Sequence, residues 1–313
     1  MTDQAPLYTE MADAPVGGEA FWLEPYGARI RAAIWRGGDR GTVFIFTGRT
    51  EYIEKYGRVI SRLVERRFSV VILDWRGQGL SERPLREPMK GHVEDFGDYQ
   101  NDVAALIADT RVEDLPQPHI LMCHSMGGCI GTRSLLDERM TPAAVIMSAP
   151  MLGIMMTPTE TVGSKALIGV SKLLHTSTAF TPSPKPRTPY VLKTEFADNT
   201  LTGDQGHYDW LRTHMKVRPK LGLGPPTVGW LAQAVIETKA LAAEAHPTQP
   251  TLYLLGEDES IVLPQSIRHA ASRAPNAKLV EIPGGRHEVL METPERLTQI
   301  WAEIDAFLTA QGI

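Results

Sequence analysis

The sequence predicts an α/β protein: a mostly parallel central sheet flanked by helices, with a cap inserted late in the chain. Three observations predict it. Short, continuous apolar runs recur at Thr42–Phe46, Ser69–Leu73, Ile120–Met122, Ala144–Met147 and Leu252–Leu255, as expected of strands buried on both faces. Between them stand stretches with apolar residues at helical spacing, and that alternation produces a parallel sheet covered on both sides. From about Met151 to Pro247 the rhythm breaks into Pro-, Thr- and Gly-rich sequence before strands resume.

Taken in order, the residues up to about Gly18 read as a loose arm. Ala20–Leu23 and Ala28–Trp35 read as two strands separated by Pro25-Tyr26-Gly27, and Gly37-Gly38-Asp39 as the turn that follows. After the strand Thr42–Phe46, the stretch Tyr56–Arg67 carries Val59, Ile60, Leu63 and Val64 on one stripe, which predicts a helix. Ser69–Leu73 is the next strand. Tyr99–Thr110 is a helix with Val103, Leu106 and Ile107 inward, and Met126–Glu138 is helix-compatible. Lys278–Ile282 is the last strand. Pro264–Ser272 and Pro294–Leu308 are helices with proline near their starts, where its missing N–H costs nothing. Within the break, Lys165–Leu174 and Trp230–Ala243 are weaker helical stretches. The predicted organisation is therefore core 1–150, cap 151–247 and core 248–313.

Composition narrows the class. At 313 residues with 42% hydrophobic and 22% charged side chains, the chain resembles an ordinary soluble globular protein. A net charge of -5 and the lack of a basic, aromatic-laced face argue against nucleic acid as a partner. The two cysteines, Cys123 and Cys129, flank one turn and form no disulfide framework, which points to a reducing compartment. The first fifteen residues lack an apolar core, so no signal peptide is expected. The most apolar run, Ala143–Met156, is too short to span a bilayer and contains Pro150. These features predict a cytoplasmic protein. The cap holds ten Lys/Arg against seven Asp/Glu, hence +3, leaving -8 for the rest of the chain. Arg212, Lys216, Arg218 and Lys220 fall close together in it, so peripheral membrane contact through the cap is one reading and ordinary solvated charge the other.

The chemistry centres on Leu121-Met122-Cys123-His124-Ser125-Met126-Gly127-Gly128. A serine at a strand-to-helix turn, with glycine two residues on, is the core of a nucleophile elbow. A serine hydroxyl is a weak nucleophile and must be presented bare to base and substrate. The sharp turn lifts it clear, and the following helix aims its first N–H groups at developing negative charge. Small neighbours are required; Gly127 and Gly128 supply them downstream, whereas Cys123 stands upstream where glycine is expected. Such a serine needs a base and an orienting acid. Of nine histidines, His287 lies in the glycine-rich loop Pro283-Gly284-Gly285-Arg286-His287-Glu288, after the last strand and before the last helix, where a parallel sheet places its chemistry. His124 points away by alternation and is expected to be packed; His92, His207, His214 and His246 read as loop or cap residues. For the acid, Gly256-Glu257-Asp258-Glu259 follows a strand. Three consecutive carboxylates cannot all be buried, so one turns inward.

With these residues in order, the chain from about Ala20 resembles the α/β-hydrolases, and in particular their lysophospholipase and monoacylglycerol-lipase branch, sometimes grouped with serine aminopeptidase-like domains. Asp74-Trp75-Arg76-Gly77-Gln78-Gly79-Leu80-Ser81 resembles that branch's D-x-R-G-x-G-x-S loop, and Lys90-Gly91-His92-Val93-Glu94-Asp95-Phe96-Gly97-Asp98-Tyr99 its R-G-H-V-x-x-F-x-D-Y stretch. Both read as structural. The order serine, acid, histidine is the α/β-hydrolase order. The branch places its acid three residues after a glycine and three before a valine-like residue, which implies Glu259 over Asp258, although aspartate is the usual occupant. The resemblance implies an oxyanion hole made by the backbone N–H groups of Met126 and Arg49, the latter because Thr47-Gly48-Arg49 stands where the family shows H-G-x. The Arg49 side chain is left with two readings, an anion ligand or a solvent-facing charge.

No His, Cys and Asp cluster has metal-ligand spacing, and Asp74-Trp75-Arg76-Gly77-Gln78-Gly79 lacks both the P-loop lysine and the dinucleotide glycine spacing, so no metal and no cofactor are expected. The reading is a cofactor-free serine hydrolase of a carboxylic ester, with Ser125 as nucleophile, His287 as base and Glu259 orienting it. The resemblance implies a lipid-like monoacyl substrate, a lysophospholipid or monoacylglycerol. The apolar run Met151–Met156 is a candidate acyl-pocket lining, with core packing the favoured alternative for its first half. The alternatives are a proline-type aminopeptidase and a non-catalytic binding protein on the same fold. An aspartate-nucleophile dehalogenase or epoxide hydrolase is disfavoured by Ser125.

Overall fold

Eight strands form one sheet: β1 (Glu19–Leu23), β2 (Ile30–Trp35), β3 (Gly41–Phe46), β4 (Phe68–Asp74), β5 (His119–His124), β6 (Ala144–Ser148), β7 (Thr251–Gly256) and β8 (Ala277–Ile282). Their order is β1-β2-β4-β3-β5-β6-β7-β8. The pairs β1–β2 and β2–β4 are antiparallel, and every pair from β4 to β8 is parallel. The computed structural model describes residues 3–174, 176–244 and 246–313.

The apolar runs form the middle of this sheet. β2, β3, β4, β6 and β7 are buried along their whole length. Helices Gly57–Glu65, Gly97–Ile107, Met126–Leu136, Pro264–Arg273 and Pro294–Ala310 flank the sheet, within one or two residues of most expected boundaries. Pro264 and Pro294 sit in the first helical turn.

The strand order creates the site. β3 lies between β4 and β5, with Phe46 level with Cys123. The chain winds outward in opposite directions from β3 and β5, which opens a crevice beyond their carboxyl ends. The loops entering that crevice are Thr47–Thr50 and the turn at Ser125.

The D-x-R-G-x-G-x-S loop is tied down by charge. The fully buried Arg31 guanidinium bridges Glu54 and Asp74 at 2.7 Å each. Asp74 also accepts the Ile53 and Leu80 N–H groups, both at 2.8 Å. With every oxygen occupied, the buried ions leave little uncompensated charge.

Two expectations are corrected. Residues 3–18 are not a loose arm. The Ala5 N–H donates to the Ala20 carbonyl and the Trp22 N–H to Asp3, each at 2.9 Å. A short helix, Thr9–Ala12, follows, with Ala12 buried. The outer edge of β1 offers unpaired backbone groups, and the arm covers them. The second correction lies in the insertion between β6 and β7. It contains helices Pro158–Leu174, Tyr190–Lys193, Gln205–Val217 and Val228–Ala243, and Gln205–Val217 was not expected. Its signal is present: Asp204 caps it by accepting the His207 N–H, and Tyr208, Leu211 and Met215 recur on one buried face. Among the described residues no helix is long and apolar enough to cross a membrane.

Candidate active site

Ser125 joins β5 directly to helix Met126–Leu136 with φ 50° and ψ -119°. A non-glycine residue here is strained and persists only when its surroundings enforce it. The Ser125 N–H donates to the Ser148 carbonyl at 3.1 Å, and its own carbonyl accepts the Gly128 and Met151 N–H groups at 2.8 Å. The turn also requires the helix to approach β3 closely. A Cβ at Gly127 would lie 2.7 Å from the Thr47 carbonyl oxygen and nearer still to that of Phe46. Cys123, which replaces the expected upstream glycine, is accommodated from the helix side. Its Sγ lies 2.5 Å from where a Cβ on Gly131 would sit, so the missing side chain at Gly131 makes room for the extra one at Cys123.

Glu259 turns inward and is buried, whereas Glu257 and Asp258 are exposed. Glu259 Oε2 lies 2.7 Å from His287 Nδ1. Its Oε1 accepts the Ile261 and Val262 N–H groups at 2.6 and 3.1 Å. Burial alone raises a carboxyl pKa, but the His287 hydrogen bond and these amides outweigh it and hold Glu259 below the ordinary value. A carboxylate at Nδ1 keeps the proton there and leaves Nε2 with its lone pair. The insertion between β6 and β7 steadies the histidine loop: Glu288 N–H donates to the Leu201 carbonyl at 2.7 Å, and Arg286 reaches the Asn199 and Thr202 carbonyls at 2.9 and 3.1 Å.

Ser125 and His287 line one cavity of about 330 Å³. Its apolar wall comes from Pro189, Val191, Leu201, Leu211, Met215 and Leu223 of the insertion. Met151–Met156 do not line it: Met151 and Leu152 are packed in the core, and Ile154 pairs with Val262.

The loop carrying Arg49 is braced on both sides. Trp75 Nε1 donates to the Thr47 carbonyl at 2.9 Å, Gln78 Nε2 to the Gly48 carbonyl at 3.0 Å, and the Thr50 N–H to Gln78 Oε1 at 3.0 Å. Glu51 accepts the Gly48 N–H. The D-x-R-G-x-G-x-S loop thus holds the backbone on either side of Arg49.

A buried polar network behind the cavity was not anticipated. Lys55 Nζ contacts Glu51 Oε1 at 2.6 Å and Glu288 Oε1 at 2.5 Å, and Tyr56 Oη donates to Glu51 Oε2 at 2.6 Å. Burial opposes charge on Lys55, but the two carboxylates overcome it and raise the lysine pKa. His124 is packed, as expected, but it also lines the cavity, with its ring 4.8 Å from that of His287. It donates to or accepts from Ser148 at its Nδ1, and burial pulls its pKa down to about 4. The i,i+4 spacing of Glu51 and Lys55 is a weak signal of a pair. Nothing local announces Glu288 as their third member.

The remaining candidate histidines are structural. His92 contacts Thr227 Oγ1 at 2.7 Å and Glu94 at 2.9 Å. His207 and His214 lie on the buried face of Gln205–Val217. His246 is near His269, away from Ser125.

A family model described as serine aminopeptidase, S33, matches residues 37–294. Lysophospholipase L2 of Escherichia coli K12 is 30% identical, covering 85% of this chain and 79% of that protein. A probable lysophospholipase L2 of Haemophilus influenzae is 25% identical, covering 87% and 85%. Among solved structures, a soluble variant of the monoglyceride lipase from Saccharomyces cerevisiae superposes with a TM-score of 0.73 at 17% identity, covering 96% of this chain and 98% of that one. The strained turn, the parallel sheet and these likenesses agree: the chain is an α/β-hydrolase and belongs to the serine aminopeptidase S33 family, in its lysophospholipase-like branch.

Proposed function

We propose that this chain is a serine hydrolase that cleaves the carboxylic ester of a lipid-like monoacyl substrate, a lysophospholipid or monoacylglycerol, through an acyl-enzyme. The observation that carries the reading is Ser125, held at φ 50° on the same cavity as His287, with His287 Nδ1 engaged 2.7 Å from Glu259. Ser125 Oγ attacks the acyl carbon while His287 Nε2 takes its proton, and the carboxylate of Glu259 stabilises the imidazolium that forms. The Met126 N–H, first of its helix and so without a preceding turn to donate into, and the Arg49 N–H receive the oxyanion. His287 returns its proton to the departing alcohol. Water, activated by His287, then attacks the acyl-enzyme and releases the fatty acid and Ser125.

The relatives named lysophospholipase L2 and the apolar wall supplied by residues 189–223 support an acyl chain as the substrate's bulk. In this reading residues 151–247 act as a cap. The helix Pro158–Leu174 turns Val162, Val170, Leu173 and Leu174 to solvent, a face suited to lying at a lipid interface. The buried free thiols of Cys123 and Cys129 suit a reducing, cytoplasmic setting.

A proline-type aminopeptidase is the second reading. It needs a carboxylate for a free amine, and Glu288 Oε2 is buried without a hydrogen bond among the described residues, 3.8 Å from His207 Nε2. Against it, Lys55 sits between Glu51 and Glu288 and offsets their charge.

A hydrolysis panel with wild type and Ser125→Ala tests both: short and long nitrophenyl esters, monoacylglycerol, lysophosphatidylcholine and a prolyl anilide. Ester turnover lost in Ser125→Ala supports the esterase. Turnover of the anilide alone makes the protein a peptidase, and the absence of any serine-dependent turnover or fluorophosphonate labelling makes it a binding protein.

A further inference from the structure

Arg49 contributes more to the cavity than its backbone. Arg49 and Gly224 both line the cavity; Arg49 Nη2 donates to the Gly224 carbonyl at 2.9 Å, and the guanidinium carbon lies 5.0 Å from the centroid of the Trp230 ring. Space is kept for it: a Cβ at Gly91 would fall on the guanidinium. The Lys90-Gly91-His92 stretch therefore does more than pack a loop.

Among the described residues, Arg49 borders the cavity without an anion. Arg31 is paired with Glu54 and Asp74, and Arg76 with Asp102. Arg83 also lacks a carboxylate among the described residues, but the Gly77, Gly79, Lys220 and Gly222 carbonyls surround its guanidinium and it does not line the cavity. Arg49 has only a carbonyl and an aromatic face, and its Nε is buried with no partner. Burial without a counter-ion pulls its pKa down to about 10. A cation held this way loses hydration that one carbonyl and one ring face replace only in part. Lys193 is a second cation on the cavity wall without a carboxylate among the described residues, and its Nζ reaches Ser183 Oγ at 3.2 Å. The cavity's carboxylates, Glu51 and Glu288, are already engaged by Lys55.

We propose that the Arg49 guanidinium, with Lys193, binds the phosphate of the substrate's head group and makes the enzyme prefer lysophospholipids to monoacylglycerols. This rests on the lipid-ester reading above. A glycerol separates the scissile ester from the phosphate in a lysophospholipid, and Cα with three methylenes separates the Arg49 amide from its guanidinium, so one residue offers donors to both ends. The planar fork of arginine matches phosphate oxygens two at a time.

The test compares lysophosphatidylglycerol with the monoacylglycerol of the same acyl chain, on wild type, Arg49→Met, Arg49→Lys and Lys193→Met. Both esters use the same backbone amide, so any disturbance of the loop lowers both rates, and the ratio of the two kcat/KM values isolates the guanidinium. Arg49→Met is expected to lower the lysophosphatidylglycerol-to-monoacylglycerol ratio about tenfold or more, mainly through KM, as expected for loss of a charged hydrogen bond. Lys193→Met lowers the ratio less, and Arg49→Lys restores part of it. An unchanged ratio in Arg49→Met overturns the proposal. If wild type hydrolyses neither ester, the lipid-ester reading has failed separately, and equilibrium binding decides the anion site. Ser125→Ala should then bind dodecyl phosphate about tenfold more tightly than dodecyl glycerol ether and lose that difference with Arg49→Met. Equal binding of the two probes overturns the proposal.

Discussion

Lys55 donates to Glu288 across 2.5 Å, in a contact between residues 233 positions apart that links the loop after β3 to the residue following His287. The same ammonium holds Glu51 at 2.6 Å. One buried cation therefore ties the segment that follows Arg49 to the loop that carries His287. Replacing it with methionine keeps the volume and leaves two buried carboxylates unpaired. Lys55→Met is expected to cost about 3–5 kcal/mol of stability, the usual penalty for removing one partner of a buried pair. Urea unfolding measures it, and a loss under about 1 kcal/mol would mean that other groups hold Glu51 and Glu288.

Glu259→Gln preserves the shape of the acid but not its charge. The amide can donate to His287 Nδ1 and favour the wrong tautomer, so kcat is expected to fall about 10⁴-fold with little change in unfolding midpoint. Because Asp258 is exposed, Asp258→Asn should leave kcat within about twofold of wild type, as surface substitutions usually do. A reversed pattern would reassign the acid.

His124 gives stability a pH dependence. Its folded pKa of about 4 lies below the ordinary 6.5. As pH falls below 6.5 the unfolded chain binds a proton that the folded chain refuses, so stability drops until pH 4 and then levels off. The shift corresponds to about 3 kcal/mol. His124→Asn retains a donor for the Ser148 carbonyl and removes the titration. The stability gap between wild type and variant should change by that amount between pH 7 and pH 4; a constant gap would show that His124 titrates normally.

Gly127→Ala would drive a methyl group into the Phe46 and Thr47 carbonyls, which are backbone and cannot rotate away. A cost of about 3 kcal/mol or more is expected, at the upper end for overpacking. Thermal unfolding reports it. Gly163→Ala, at a position with no neighbour within 4 Å, is the matched control and should be neutral or slightly stabilising, since alanine favours the helix by about 1 kcal/mol.

Much of the fold is legible in adjacent residues. Continuous apolar runs mark strands buried on both faces, and Pro264 and Pro294 mark helix starts. Gly127 beside Ser125 marks a turn that must approach β3. The helix Gln205–Val217 was legible too, through Asp204 and the Tyr208–Leu211–Met215 stripe, but the basic residues around Arg212 mask its amphipathic pattern. The packed N-terminal arm had no such signal, because its order comes from the edge of β1 rather than from its own side chains.

The sequence by itself determined the alternation of strands and helices, the strand-to-helix turn at Ser125 and the chain order of serine, carboxylate cluster and histidine. These follow from periodicity and turn chemistry, which act between neighbouring residues. The tertiary structure decided which carboxylate of Glu257-Asp258-Glu259 faces His287, that Lys55 meets Glu288, that the cavity wall comes from residues 189–223 rather than 151–156, and that Arg49 lies in the cavity without a carboxylate. Each of these depends on strand order and loop packing between segments far apart in the chain, where local pattern carries no information about what a side chain will meet.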